Sequence, residues 1–262
     1  VNRIYVEQHG QGPDLVLIHG WGLHGGIWDG LLPQLTRDWR ITVVDLPGHG
    51  RSALSPSGMS LDDAVDHLLE IVPLKATWLG WSLGALVALA AATREQGPRR
   101  LILVAGTPRF VQGGDWEAGM DPATLQGFAD ELLEDYEGTL RRFLGLHVGA
   151  GVDSRQTIRE LRERLFAHGR PSTQALMQGL GWLRDTDLRE RVPRISIPTL
   201  LIQGGHDRLV PLSAGDWLVQ HLQRADLRTI ERAGHAPFVS HRDEFLALLK
   251  AAPDSELQHR AG

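Results

Sequence analysis

The chain has 262 residues, carries 27 Lys and Arg against 32 Asp and Glu for a net charge of −5, and is 42% hydrophobic and 23% charged. Such a chain can bury one large core and fits a single α/β domain, and its charge argues against a nucleic-acid binder with a broad basic surface. The lack of any cysteine excludes disulfides, thiolate metal sites and a cysteine nucleophile, and no run approaches the roughly 18 uninterrupted apolar residues of a membrane helix.

Residues 3–8 alternate in the manner of a strand, and 9–13 read as a turn. Residues 15–18 form a continuous apolar strand that runs into His19-Gly20-Trp21-Gly22-Leu23-His24-Gly25-Gly26. A short amphipathic segment follows and is broken by Pro33. A second buried strand over 41–44 ends at Asp45-Leu46-Pro47-Gly48-His49-Gly50-Arg51-Ser52, and 61–72 is helix-like. Further apolar strands are expected at 77–79 and 101–104. Short β-branched and leucine runs alternating with helical segments mean a mostly parallel sheet covered on both faces.

The texture changes after Pro108. From about 111 to 187 helical patterns dominate. Leu125, Phe128, Leu132 and Leu133 share one face, Leu140, Phe143 and Leu144 another, and Ile158, Leu161 and Leu165 a third. We therefore expect an α/β core over 1–110 and 188–262, interrupted by an all-helical insertion over 111–187. Strand texture returns at 199–202 and 227–230, an amphipathic helix covers about 242–251, and the tail from Pro253 is polar.

The chain is organised around Gly80-Trp81-Ser82-Leu83-Gly84, a Gly-x-Ser-x-Gly motif between an apolar run and an alanine-rich run. Strand, sharp turn and helix is the context in which such a serine becomes a nucleophile. The turn strains the serine backbone and lifts its hydroxyl clear of the sheet. A side chain at Gly80 or Gly84 would collide with the neighbouring turn. Trp81 is expected to pack beneath this elbow. The plainer reading is a glycine-flanked turn with a surface serine.

A serine hydroxyl is a poor nucleophile at neutral pH and needs a histidine base, itself oriented by a carboxylate. Asp207 follows the strand at 199–202, and His235 follows the strand at 227–230. Both therefore fall on the rim where parallel strands end and ligands bind. His206 is the nearest rival as base, but it occupies the acid's own turn. Acyl transfer also needs two N–H donors aimed at the developing oxyanion. The amide after the nucleophile, Leu83, is one, and the Trp21 amide in the loop after an earlier strand is the other. Read alone, Gly20-Trp21-Gly22-Leu23-His24-Gly25 also matches a dinucleotide-binding Gly-x-Gly-x-x-Gly, with Asp45 as the ribose-binding acid. That module leaves Ser82 unexplained. His19 and His24 are five apart on a loop, which is not zinc spacing, and His19 is expected to fix its loop by hydrogen bonding.

Together these residues resemble the α/β-hydrolase superfamily over nearly the whole chain. Within it, His19-Gly20-Trp21-Gly22-Leu23, Trp78-Leu79-Gly80-Trp81-Ser82-Leu83-Gly84, Arg142-Phe143-Leu144 and His235-Ala236-Pro237-Phe238 resemble the pimeloyl-acyl-carrier-protein methyl ester esterases of biotin synthesis. The resemblance implies an α/β-hydrolase fold, a lid made by the helical insertion and a serine carboxylesterase with catalytic Ser82, Asp207 and His235. It also implies action on a methyl ester borne by an acyl-carrier protein and on short-chain esters. Trp21, Ser82, Leu83, Phe143, Leu146, His147 and His235 would contact substrate, and the basic lid residues Arg142, Arg155 and Arg159 would dock the carrier protein. Gly138 stands where another arginine is expected. No cofactor, metal, nucleic acid or membrane is called for, and a cytoplasmic monomer is expected. The alternatives on the same fold are a carbon–carbon bond hydrolase, a lipase and an aminopeptidase; a non-catalytic dinucleotide-binding module is the alternative of another class.

Overall fold

The computed structural model describes residues 4–54, 57–146, 159–161, 163 and 167–251, the side chains of 136 and 143–146 excepted. Its centre is a seven-stranded sheet of β1 (Tyr5–His9), β2 (Asp14–Ile18), β3 (Arg40–Asp45), β4 (Thr77–Trp81), β5 (Arg100–Val104), β6 (Thr199–Gly204) and β7 (Ala225–Ile230). The spatial order is β1-β3-β2-β4-β5-β6-β7. β1 runs antiparallel to β3, and the remaining pairings are parallel. Every residue of β4, β5 and β6 is buried, as a parallel sheet covered on both faces requires.

The helices of the core are α1 (Leu32–Leu35), α2 (Leu61–Ile71) and α3 (Leu83–Ala91), followed after the insertion by α7 (Leu212–His221), α8 (Pro237–Ser240) and α9 (Arg242–Ala251). Pro33 does not break its segment. It sits in the first turn of α1, where a missing N–H costs no hydrogen bond. Helix α2 starts at a reciprocal cap, in which Ser60 accepts from the Asp63 N–H and Asp63 accepts from the Ser60 N–H. All nine residues of α3 are buried, and its alanines and glycine let it lie close on the sheet.

Between β5 and β6 the described residues form α4 (Pro122–Glu134), α5 (Tyr136–Leu146) and α6 (Thr173–Asp185), with isolated bridges at Arg109–Asp187, Val111–Met120 and Gly113–Trp116. In α4, Leu125 and Leu132 are buried, but Leu133 is 68% exposed. Adjacent residues of a helix point about 100° apart, so the inward stripe passes through Ala129 and Leu132 and leaves Leu133 outside. Leu140 and Leu161 are buried as expected. Ile158 and Leu165 lie outside the described residues, as do the side chains of Phe143 and Leu144.

Parallel strands bring their C-terminal ends to one edge of the sheet. The loops after β2, β4, β6 and β7 therefore meet there, and they carry Trp21, Ser82, Asp207 and His235.

Candidate active site

The elbow is built by sterics. Ser82 has φ 56° and ψ −115°, a conformation that an L residue rarely adopts and that costs of order 1–3 kcal/mol. Helix α3 begins at the next residue. A Cβ on Gly80 would run into the Gly84 carbonyl, and a Cβ on Gly84 would run into the Ile18 carbonyl at the end of β2. Both positions must be glycine for strand, turn and helix to approach so closely. Ser82 is anchored through its own N–H, which donates to the Val104 carbonyl of β5 over 3.0 Å.

Ser82, His235 and Asp207 are brought together. The Ser82 hydroxyl lies 2.8 Å from His235 Nε2, and His235 Nδ1 lies 2.7 Å from Asp207 Oδ2. With the imidazole proton on Nδ1, that N–H donates to the carboxylate and Nε2 accepts from the hydroxyl. Both side chains of the His235–Asp207 pair are fully buried. The second carboxylate oxygen, Oδ1, accepts from the backbone N–H groups of Leu209 and Val210 over 2.8 and 3.0 Å. Four polar contacts thus hold one hydroxyl, one imidazole and one carboxylate in line. Such a line can take a proton from the hydroxyl as it attacks and return it to a leaving group. His206, the rival base, is exposed.

The loop after β2 closes the other side. A Cβ on Gly20 would lie 3.3 Å from Ser82 Cβ, which puts the Gly20–Trp21 peptide beside the serine. Trp21 and Leu83 are buried, and the Trp21 indole N–H donates to the Leu176 carbonyl of α6 over 2.8 Å. Gly179, one turn further along α6, faces the same ring: a Cβ there would lie 2.6 Å from Trp21 Cδ1 and 3.5 Å from Leu83 Cδ2. The helical insertion therefore rests directly on the two residues expected to supply oxyanion donors.

His19 fixes this loop, as its position suggested. Its Nδ1–H donates to the Gly20 carbonyl over 2.8 Å, and its Nε2 accepts from the Leu46 N–H over 2.9 Å. Burial, with His49 nearby, pushes the ring down to about 3, so it stays neutral and joins the loops after β2 and β3. Asp45 is spent in the same way. Burial works to raise its carboxyl, but the Arg51 guanidinium and the Arg51 and Gly25 N–H groups act together to hold it below the usual carboxylate range. It accepts from the Gly25 N–H over 2.6 Å and from the Arg51 N–H and Nε–H over 2.9 Å. The dinucleotide reading fails here. The glycines lead into a single 3-10 turn, Gly25–Trp28, and the acid meant for a ribose is buried against its own loop.

One contact escaped the sequence reading. Trp81 packs beneath the elbow as expected, but its indole N–H also donates to the His235 carbonyl over 2.7 Å. The two residues are 154 apart in sequence, and no local pattern signals such a bond. Among the other expected contacts, Arg142 is exposed on α5 and paired with Glu131 at 2.7 Å. Arg159 lies 3.8 Å from Glu163. The Gly138 N–H donates to the Asp135 carboxylate over 2.9 Å. His147, Arg155 and the side chains of Phe143 and Leu146 lie outside the described residues. Among the described residues no group of three His, Asp or Glu side chains could hold a metal ion, and no helix is long and apolar enough to cross a membrane.

A profile described as the alpha/beta hydrolase family matches residues 15–248. The chain belongs to that family. As an α/β-hydrolase with serine, histidine and aspartate in contact at the elbow, it is a serine hydrolase. It is 42% identical over 247 residues to the pimeloyl-[acyl-carrier protein] methyl ester esterase of Stenotrophomonas maltophilia strain R551-3, covering 94% of this chain and 95% of that one. It is 42% identical over 247 residues to the enzyme of the same name from Methylococcus capsulatus, covering 94% and 96%. Among solved structures, an esterase from Exiguobacterium antarcticum superposes with a TM-score of 0.86 at 23% identity, covering 95% of both chains. A bromoperoxidase from Bacillus anthracis superposes with a TM-score of 0.85 at 24% identity, covering 95% and 94%. These two likenesses bear on the α/β-hydrolase fold alone.

Proposed function

We propose that this α/β-hydrolase is a carboxylesterase that cleaves the methyl ester of a pimeloyl chain carried on an acyl-carrier protein, as a cytoplasmic step of biotin synthesis, and also cleaves short-chain esters. The supporting observation is the Ser82–His235–Asp207 line at the elbow of a chain that aligns along nearly its full length with esterases of that name. In this reading Ser82 Oγ attacks the ester carbonyl while its proton passes to His235 Nε2. The Trp21 and Leu83 amides receive the developing oxyanion, each donor worth about 3–4 kcal/mol. His235 returns the proton to the departing methanol, and water, deprotonated by the same imidazole, clears the acyl-enzyme. Asp207 holds the tautomer and stabilises the imidazolium.

The segment 111–187 acts as the lid. Phe143, Leu146 and His147 meet the acyl chain, and Arg142, Arg155 and Arg159 meet the acidic carrier through charge-assisted contacts. Ser82→Ala should abolish hydrolysis of both the carrier-borne methyl ester and p-nitrophenyl butyrate, and should prevent labelling by a fluorophosphonate. Near-normal turnover in that variant refutes the mechanism. A panel of a dienone, a long-chain triglyceride and amino-acid anilides separates this reading from a carbon–carbon hydrolase, a lipase and an aminopeptidase.

A further inference from the structure

We propose that Trp81 is a positioning residue for the base: its indole holds the backbone of His235 so that the imidazole reaches Ser82. The inference rests on the roles of Ser82 and His235 given above. Trp81 is the last residue of β4 and is fully buried. Side chains alternate along a strand, so Gly80 faces α3 while Trp81 points to the opposite face of the sheet.

On that face the loop after β7 is held twice. The Trp81 Nε1–H donates to the carbonyl of His235 itself. The indole meets Phe238, three residues further on, in an edge-to-face contact with ring centroids 5.1 Å apart at 74°. Phe238 is in turn backed by Trp28 at 4.5 Å and Phe245 at 5.9 Å. Between the base and α8 only Ala236 intervenes, and it is not helical. Ala236 lies at φ −119° and ψ 65°, and Pro237 brings no N–H. The Trp81 donor fixes the His235 carbonyl itself, while the His206 N–H holds the loop two residues earlier by donating to the Ala233 carbonyl over 2.9 Å.

The same ring supports the loop after β2. A Cβ on Gly20 would lie 3.0 and 3.1 Å from Trp81 Cε3 and Cζ3. Trp81 thus spaces three parts at once: the base, the loop carrying the Trp21 amide, and Ser82, to which it is joined covalently. The Oγ–Nε2 separation of 2.8 Å leaves no slack, since misplacing a reacting group by about 1 Å can cost about 100-fold in rate.

If Trp81 only filled space, a ring of the same shape without the N–H would leave turnover untouched. The test replaces Trp81 with 3-benzothienylalanine, in which sulfur stands for the N–H, alongside Trp81→Phe. Activity is read on p-nitrophenyl butyrate. The expected result for the benzothienyl variant is a kcat lower by about 10-fold or more with KM within about twofold, because the loss falls on alignment and not on binding. Its rate of fluorophosphonate labelling should fall in step. An unchanged kcat, whatever happens to the melting temperature, overturns the proposal. Should Trp81→Phe fail to fold, the isosteric variant still decides. Ser82→Ala run in the same assay separates the two ideas: activity there defeats the assignment of the nucleophile, whereas silence there with an unchanged benzothienyl variant defeats only the role of Trp81.

Discussion

His19 shows how a single side chain can carry a pH dependence without touching substrate. It is buried and neutral, held down to about 3, and His49 beside it is held down by burial to about 4. Both sit near 6.5 when exposed. The unfolded chain therefore binds more protons than the folded one below that value, and stability must fall as pH falls from about 6.5 toward 4 and then 3. Two such groups amount to roughly 2–4 kcal/mol between pH 7 and pH 5. Urea midpoints at those two pH values should show the loss, and His49→Gln should flatten the slope even if it lowers the midpoint. A slope that is the same with and without His49 would show that other groups carry it. Asp45 acts in the same sense at lower pH, because a carboxyl held below its usual range gives stability that is lost on protonation. At this scale the sequence was legible where the constraint is local: the collision of Gly80 with the Gly84 carbonyl and the strained backbone of Ser82 follow from five adjacent residues, whereas Gly84 is required by the Ile18 carbonyl of β2. The bond from Trp81 to the His235 carbonyl was not, because donor and acceptor meet only through the tertiary fold.

Helix α6 makes two opposing demands of Gly179. In an isolated helix, alanine there would be favoured by about 1 kcal/mol. In this fold its methyl group would press on Trp21 Cδ1 at 2.6 Å. We expect Gly179→Ala to gain no stability and to lower kcat/KM for p-nitrophenyl butyrate several-fold, since the displaced indole carries the Trp21 peptide with it. A variant that melts higher and turns over normally would show that the contact is slack. Reading the elements from sequence worked best for β2 to β6, whose apolar runs are wholly buried, and for the chain order that sets Asp207 and His235 on one rim. It was poorer in the helices between β5 and β6. Apolar residues at 132 and 133 look alike, and only packing decides that Leu133 faces water. Pro33 failed as a breaker for a similar reason: its effect depends on whether it falls inside a helix or at its start.

For the molecule as a whole, the net charge of −5 disfavours an acidic partner except where cations cluster. Arg142 projects from α5, half-exposed and bound to Glu131 and Asp135, a pairing worth little in water and easily exchanged. If that face docks a carrier protein, Arg142→Glu should lower kcat/KM for the carrier-borne methyl ester about 5- to 10-fold and leave p-nitrophenyl butyrate alone. The gap should narrow as salt rises above about 0.15 M, where the screening length is about 8 Å. An equal fall for both substrates would place the residue in the fold and not in docking. The topology was only partly legible at this scale. Alternating apolar runs imply a parallel sheet, but nothing in residues 3–9 says that β1 turns antiparallel and lies against β3.

The hydroxyl and the imidazole come from positions 153 apart, and the carboxylate precedes the imidazole by 28. The serine is thus translated long before its partners, and a growing polypeptide carries it as an inert alcohol. Reactivity is acquired late, when the closing strand of the sheet locks against its neighbour. A copy in which the segment after β7 is missing or undocked has no base beside its serine and spares the esters around it.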